Sequence, residues 1–198
     1  DHRDEVKHLV PQKPETKNGK KVALIGAGPA SLTVANDLAP LGYDVTVFEK
    51  LSKPGGLMRI NIPAFRLPDQ VLNDEIGYIV DMGIDMRYDS PVASLKALLD
   101  EGTYDAVFVG SGAPKGKELD LPGRHDSDQV FIGIEWLESI HFGHINTVGK
   151  RVLIIGVGNT AMDCCRSAKR LGAESVKVIA RKTRKYFKAS PCELEDAD

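Results

Sequence analysis

Two stretches of this chain carry the same punctuation: an apolar run, a glycine–x–glycine turn, then a helical pattern. They read KVALIGAGPASL, with Gly26 and Gly28, and RVLIIGVGNTAM, with Gly156 and Gly158, which puts the two turns 130 residues apart (Gly26 to Gly156). Val22 to Ile25 and Val152 to Ile155 are apolar throughout, as expected of strands that a parallel sheet buries on both faces. In such a strand–turn–helix the first glycine makes the tight turn. The second lets the backbone approach a pyrophosphate, and a small third residue lets helix meet strand. That third position is Ser31 in one copy and Ala161 in the other. Leu41-Gly42 and Leu171-Gly172 close the two helical patterns at equal offsets from Gly26 and Gly156, where glycine suits a left-handed helix C-cap. The repeat predicts an α/β fold, with one Rossmann-like domain followed by the beginning of a second, incomplete one.

Beyond the turns, the two copies differ in charge. The second strand of the first copy, VTVFE, ends on Glu49, whereas VKVIA of the second copy runs into Arg181 and Lys182. A carboxylate there accepts hydrogen bonds from the hydroxyls of an adenosine ribose; a basic pair suits a ribose that carries a phosphate. Each helix N-terminus adds free N–H groups and partial positive charge for a pyrophosphate. The pattern therefore predicts two different adenine dinucleotides, FAD at the first turn and NADPH at the second. On charge alone, the basic residues equally suit a solvated loop at a strand end.

Composition is that of an ordinary globular protein, with 198 residues, 42% hydrophobic and 27% charged. A net charge of −2 argues against a nucleic-acid partner. No apolar run approaches membrane-spanning length and the polar start DHRDEVKH is no signal peptide, so a cytoplasmic location without membrane attachment is expected. Cys164 and Cys165 are neighbours on the second helical pattern rather than a C-x-x-C pair, and read as packing residues. With Cys192 they make three cysteines, one short of the four thiolates of an iron–sulfur cluster. His141 and His144 are placed on one helical face with no further ligand at metal spacing.

Between the copies, KLSKPGGLMRINIPAFRLP is too rich in proline and glycine for a continuous helix. Asp69 is expected to cap a helix running to Met82 and closed by Gly83. A short strand at IDMRY, a helix from Ser94 to Asp100, a strand in YDAVFVGSG and a helix from Ile134 to His141 come next. Gly55, Gly56, Gly110 and Gly112 read either as turn chemistry or as ligand-approach glycines at strand C-terminal ends.

The succession KVALIGAGPASLTVANDLAPLGYDVTVFEK, PGGLMRINIPAFRLP, YDAVFVGSGA and GKRVLIIGVGNTAMDCCRSAKRLGAESVKVIARK resembles the glutamate synthase small (β) subunit. It resembles equally the flavin and NADPH domains of dihydropyrimidine dehydrogenase. The resemblance covers roughly residues 20 to 198. It implies an FAD-dependent NAD(P)H oxidoreductase in which hydride passes from NADPH to FAD. Electrons would leave through iron–sulfur clusters on a segment or subunit outside this chain. Residue by residue, it implies Gly26, Gly28, Pro29, Ala30 and Ser31 for the FAD pyrophosphate and Glu49 for its ribose. Gly56, Leu57, Arg66 and Gly112 fall to the flavin side. For NADPH it implies Gly156, Gly158, Asn159, Thr160 and Ala161 at the pyrophosphate. The basic cluster Arg181, Lys182 and Lys188, followed by Pro191 and Glu193, falls at the 2′-phosphate. No catalytic side chain and no metal ligand is implied.

Two residues depart from the family pattern, Ser31 and Asn61, each standing where glycine is usual. Asn61 is expected to preserve a left-handed backbone while bringing its side chain near the flavin. The expected organisation is a polar arm at 1–20, the N-terminal part of an FAD domain at 21–145, and the start of an NAD(P)H domain at 146–198. The cysteine-rich segment and the C-terminal return of the family are absent, so the chain is read as a piece of a longer polypeptide. A disulfide reductase is disfavoured by the missing C-x-x-C. A noncatalytic flavin- or nucleotide-binding subunit stays open.

Overall fold

The computed structural model describes residues 12–181 and 183–197. The chain divides into two compact units. The first comprises the residues through Arg59 together with Leu67–Gly112; the second comprises Ile60–Arg66 and the chain from Ala113 onward.

In the first unit, β1 (Lys21–Ile25), β2 (Asp44–Phe48), β3 (Asp85–Arg87) and β4 (Ala106–Val109) form a parallel sheet in the order β3-β2-β1-β4. The central strands are the most apolar, and both faces are covered: Ala23, Leu24 and Val47 have no exposed surface. Each large side chain of this kind contributes about 1.5–3 kcal/mol by leaving water. The crossover from β1 to β2 is α1 (Pro29–Leu38). Pro29 sits in its first turn, where its missing N–H costs nothing. Pro40 then tightens the end into a 3₁₀ turn, Ala39–Leu41, and Gly42 takes the expected left-handed cap at φ 87°.

After β2 come the short α2 (Leu57–Ile60), then α3 (Asp69–Val80) and, beyond β3, α4 (Leu95–Asp100). The expected cap at Asp69 is displaced by one residue. Pro68, held extended by its ring, is the N-cap, and Asp69 enters the first turn, where its carboxylate reaches Arg59. The helix stops at Val80 rather than Met82, because Met82 turns into the core and Gly83 reverses the chain at φ 94°. The helix expected from Ser94 opens one residue later, and Ser94 caps it, its hydroxyl accepting from the Ala97 N–H. Positions 1–11 of the expected polar arm lie outside the described residues. Its described part is tied down: Asn18 N donates to Gly42 O at 2.9 Å and Asn18 Nδ2 to Leu41 O at 3.0 Å.

The second unit holds α5 (Gly133–His141), β5 (Arg151–Ile155), α6 (Asn159–Arg170), β6 (Ser175–Ile179) and α7 (Pro191–Glu195). β5 and β6 pair in parallel from Arg151↔Ser175 to Ile155↔Ile179. One face of this ribbon, Val152, Ile154 and Val176, packs on a core of Trp136, Leu137, Cys164, Ala168 and Ala173. On the other face Leu153, Ile155 and Ile179 are exposed. The expected boundary at residue 145 falls differently in space, since α5 packs against α6 and lies in the second unit. His144 lies past the end of α5, so it does not share a helical face with His141. No helix among the described residues is long and apolar enough to cross a membrane.

Candidate functional site

At the carboxyl ends of β1, β2 and β4, three glycine segments meet. Gly26 N donates to Phe48 O at 2.7 Å, Gly110 N to Ile25 O at 2.8 Å and Gly55 N to Ala27 O at 2.8 Å. A methyl group on Gly26 would sit 2.7 Å from Gly110 O, and one on Gly56 would sit 2.9 Å from the Gly28 Cα. Both glycines also take positive φ, 90° and 53°. Side chains are thus excluded from the surface that faces the start of α1. That helix has no side-chain cap and no acidic residue in its first turn, so the N–H groups of Ala30 and Ser31 receive no side-chain cap, while Pro29 has none to give. Gly28 itself is extended, with φ −79° and ψ 177°. Leu57, partly exposed, opens α2 directly after Gly56, and Gly112 turns at φ 67° with open space beside it.

Glu49 stands just beyond β2, only 4% exposed. Its Oε2 accepts from Ala27 N at 2.6 Å and its Oε1 from Leu51 N at 2.9 Å. The carboxylate therefore fixes the glycine turn from below while each oxygen retains a further lone pair. Ser31 is fully buried and its Oγ has no hydrogen-bond partner among the described residues. It packs against Gly110, where even a methyl group would collide with it. The small third position of the turn thus works as a helix–strand spacer. A cleft of about 250 Å³ lies elsewhere, along α3 between Arg59, Asn73, Ile76 and Tyr88. The Arg59 guanidinium there is occupied by Pro54 O, Asn73 and Asp69.

The second turn is built differently. Gly156 takes φ 130°, Gly158 is extended at φ −97° and ψ 177°, and α6 begins at Asn159 without a side-chain cap. Thr160 and Ala161 occupy its first turn, and Ala161 Cβ lies 4.0 Å from where a Gly156 methyl would be. Here, among the described residues, no carboxylate is seen to bond the loop as Glu49 bonds the first. A returning segment does so instead: Lys188 N and Ala189 N donate to Val157 O at 3.1 and 3.0 Å, and Ser190 N donates to Asn159 Oδ1 at 2.9 Å. Arg181 and Lys188 are exposed near this loop's two ends. Lys182 lies outside the described residues.

Arg66, expected on the flavin side, is engaged within the second unit. Its Nη1 donates to both carboxylate oxygens of Asp163 at 2.9 and 2.8 Å, and its Nε pairs with Glu193 at 2.7 Å. Glu193 also accepts from Arg166 at 2.7 Å, which in turn pairs with Asp196 at 3.0 Å. The Phe65 ring receives the guanidinium groups of Arg166 at 4.7 Å and Arg170 at 3.8 Å. Burial pushes the Asp163 carboxyl above the usual carboxylate range, against the pull of the two Arg66 bonds. Asn61 does not take positive φ: the one described non-glycine residue that does is Asp89. Its side-chain amide donates to Ile134 O at 2.6 Å, so it ties the loop to α5. Cys164 and Cys165 are buried, and burial pushes the Cys164 thiol up to about 12.

Sequence reasoning did not find Asp163, Arg166 or the Ser190–Asn159 bond. A signal existed for Asp163, an acidic residue three positions before Arg166 and so beside it on the helix. Nothing local marks the Ser190 backbone N–H as a donor to a residue 31 positions away.

Two glycine turns at strand carboxyl ends, each opening an uncapped helix, define a protein with two dinucleotide-binding folds. Residues 20–197 match the pyridine nucleotide-disulphide oxidoreductase family, and the chain belongs to it. It is 37% identical over 195 residues to the NADPH-Fe(3+) oxidoreductase subunit beta of Geobacter sulfurreducens, covering 95% of this chain and 29% of that protein. It is 41% identical over 184 residues to the NAD-dependent dihydropyrimidine dehydrogenase subunit PreT homolog of Salmonella typhi, covering 91% and 44%. Against the glutamate synthase [NADPH] small chain of Azospirillum brasilense it is 34% identical over 203 residues, covering 95% and 42%. The family resemblance read from the motifs is thereby established. The chain spans less than half the length of each of these relatives. Among solved structures, FprA from Mycobacterium tuberculosis (His57Gln mutant) shares the fold with a TM-score of 0.77 at 20% identity, over 90% of this chain and 48% of that one.

Proposed function

We propose that this chain is the nucleotide-binding part of a flavoprotein oxidoreductase that passes hydride from NADPH to FAD and electrons onward to an iron–sulfur or other partner outside these residues. The observation that carries the reading is the contrast between the two turns, one closed by the buried Glu49 carboxylate and the other flanked by the basic segment from Arg181 to Lys188. The relatives' activities, all oxidoreductases or glutamate synthases named for NADPH or NAD, support it.

In this reading the first unit holds FAD. The cradle left free of side chains by Gly26, Gly28 and Gly56 fits a pyrophosphate against the first turn of α1, with Pro29, Ala30 and Ser31 behind it. Glu49 offers its remaining lone pairs to ribose hydroxyls, and Leu57 and Gly112 border the same surface. The second unit holds the nicotinamide dinucleotide at Gly156, Gly158, Asn159, Thr160 and Ala161. Arg181, Lys182 and Lys188 supply charge-assisted bonds to a 2′-phosphate. Arg66, engaged by two carboxylates, organises the second unit. When bound, the nicotinamide supplies a hydride and the flavin takes it up and releases electrons. The residues themselves bind, orient and exclude side chains; no general acid or base is required of them.

The test is anaerobic mixing of the natural full-length, flavin-loaded protein with NADPH and with NADH. Rapid bleaching of the flavin by NADPH is expected, and replacing Arg181 and Lys182 by alanine weakens NADPH far more than NADH. Flavin that stays oxidised in the presence of both coenzymes would instead establish a noncatalytic flavin-binding subunit.

A further inference from the structure

The cleft along α3 joins an open shape to a buried cation. Asn73, Ile76, Gly77 and Val80 fall three and four residues apart, so they share the helix face that forms its wall. Gly77 is the anomaly. A glycine inside a helix weakens it, yet Gly77 does not take positive φ, and a methyl group there would meet nothing within 4 Å. Neither backbone nor packing requires glycine at this position, and its missing side chain helps keep the cleft of about 250 Å³ open. Arg59, only 4% exposed, lines the same cleft. Its Nε donates to Pro54 O, its Nη2 to Asn73 Oδ1 at 2.7 Å and its Nη1 to Asp69 Oδ1 at 3.4 Å. These bonds use three of the five N–H donors of a guanidinium. Asp69, the one carboxylate printed against it among the described residues, is itself exposed and reaches it at a long distance, a weak neutralisation for a buried charge.

We propose that this cleft binds a small free carboxylate with a short apolar chain: Arg59, the Asn73 amide and the Tyr88 hydroxyl take its oxygens, and its carbons lie along Ile76, Gly77 and Val80. The donors are available. Asn73 accepts from Arg59 through Oδ1, which leaves its NH₂ without a partner among the described residues, and the Tyr88 hydroxyl has none there either. Burial pushes the Tyr88 phenol above its ordinary value, against the pull of the Arg59 charge, so the hydroxyl keeps its proton to donate. Three donors, one of them a cation, select an ionised carboxylate over an amide or an alcohol. Ile76 is buried and Val80 half-buried, and both give the chain apolar contact. Volume limits its length, because about 250 Å³ lies below the roughly 300–1,000 Å³ of pockets that take drug-sized ligands. Asp81 also lines the cleft, but it caps α3 at the far end, roughly 12 Å along the helix from Asn73. Its charge therefore stands away from the donors. The site shares no residue with the coenzyme assignments and does not depend on them.

The experiment titrates sodium butyrate, with butyramide as its uncharged counterpart, into the natural full-length, flavin-loaded protein. Saturation-transfer NMR on the probe reads binding without turnover. Butyrate is expected to saturate with a Kd of about 1 mM, in keeping with so small a ligand. Butyramide should bind at least about tenfold more weakly, since it cannot accept a charge-assisted bond from Arg59. Gly77→Leu fills the cleft with a residue that favours helix and leaves the Arg59 bonds in place. It should raise the butyrate Kd more than about tenfold while thermal unfolding stays put or moves up. Tyr88→Phe removes one donor and should weaken butyrate about fivefold. Absence of saturable butyrate binding overturns the proposal, as does equal affinity for butyrate and butyramide. A butyrate Kd that Gly77→Leu leaves unchanged puts the probe on another cation of the protein and overturns it too. If Gly77→Leu does not fold, Tyr88→Phe decides, and an unchanged butyrate Kd in that variant is the overturning result.

Discussion

The two glycine turns share a sequence pattern but are stabilised by opposite means. The first is locked from within its own sheet, where a buried carboxylate at the end of β2 binds the Ala27 N–H and two further glycine segments press against the turn. The second is locked from outside, by chain that returns after β6 and uses one carbonyl and one amide side chain as anchors. The first turn is consequently intolerant of an added atom at Gly26, where a methyl group would meet Gly110 O at 2.7 Å. At the second, Gly158 has open space around its missing side chain, and the turn is held by the returning chain. A crowded turn and an open one result from where each finds its hydrogen-bond partners.

The sharpest way to break this contrast is Gly26→Ala. A methyl 2.7 Å from Gly110 O at a φ of 90° forces backbone apart, and we expect a loss of about 3 kcal/mol or more, with flavin released. Thermal unfolding and flavin content check it, and Gly158→Ala gives the control, with a loss of about 1 kcal/mol or less. Next in size is Arg66→Ala, which strands Asp163, leaves Glu193 to Arg166 and costs about 3 kcal/mol, discounted for the partial exposure of Arg66. Its pH dependence has a definite sign. Asp163 already has a raised pKa, chiefly from burial, and removal of Arg66 raises it further. A group raised in the folded state binds protons more tightly there than when unfolded, so its contribution is retained at low pH and lost as pH rises through the folded pKa. Denaturation midpoints should therefore show the variant less impaired at pH about 5 than at pH about 8.

Glu49→Gln is expected to cost about 2 kcal/mol, because the amide places an NH₂ against a backbone N–H that now donates to the carboxylate. Urea titration checks it, and an unchanged midpoint would mean that the first turn does not depend on its carboxylate. Ser31→Ala, by contrast, removes a buried hydroxyl with no partner among the described residues, and stability should rise by about 1 kcal/mol. A loss on calorimetry would show that the hydroxyl is satisfied in solution. The smallest effect is Lys150→Ala, which deletes an exposed pair with Glu174 at the start of β5, with an expected change below about 1 kcal/mol.

Much of this was legible in the sequence because it is local. The apolar runs at Val22 to Ile25 and Val152 to Ile155 and the left-handed Gly42 and Gly172 arise from the chemistry of a few adjacent residues. So does the unlike charge after the two second strands, since Glu49 and Arg181 stand directly at strand ends. Asn61 misled for the same reason. Judged by its neighbours it occupied a glycine position, yet in the fold its backbone is ordinary and its amide is used by Ile134, 73 residues away.

The sequence by itself determined the α/β class, the two turns, their order and their opposite charge, since strand period and glycine conformation need only nearest neighbours. Tertiary structure alone decided which partner each polar group received. It assigned Arg66 to Asp163 and Glu193, Asn159 to the Ser190 N–H, and the Glu49 carboxylate to the turn that precedes it in the chain. A hydrogen bond depends on two groups arriving within about 3 Å of each other, and for residues 22, 31 or 97 positions apart only the packed fold brings them there.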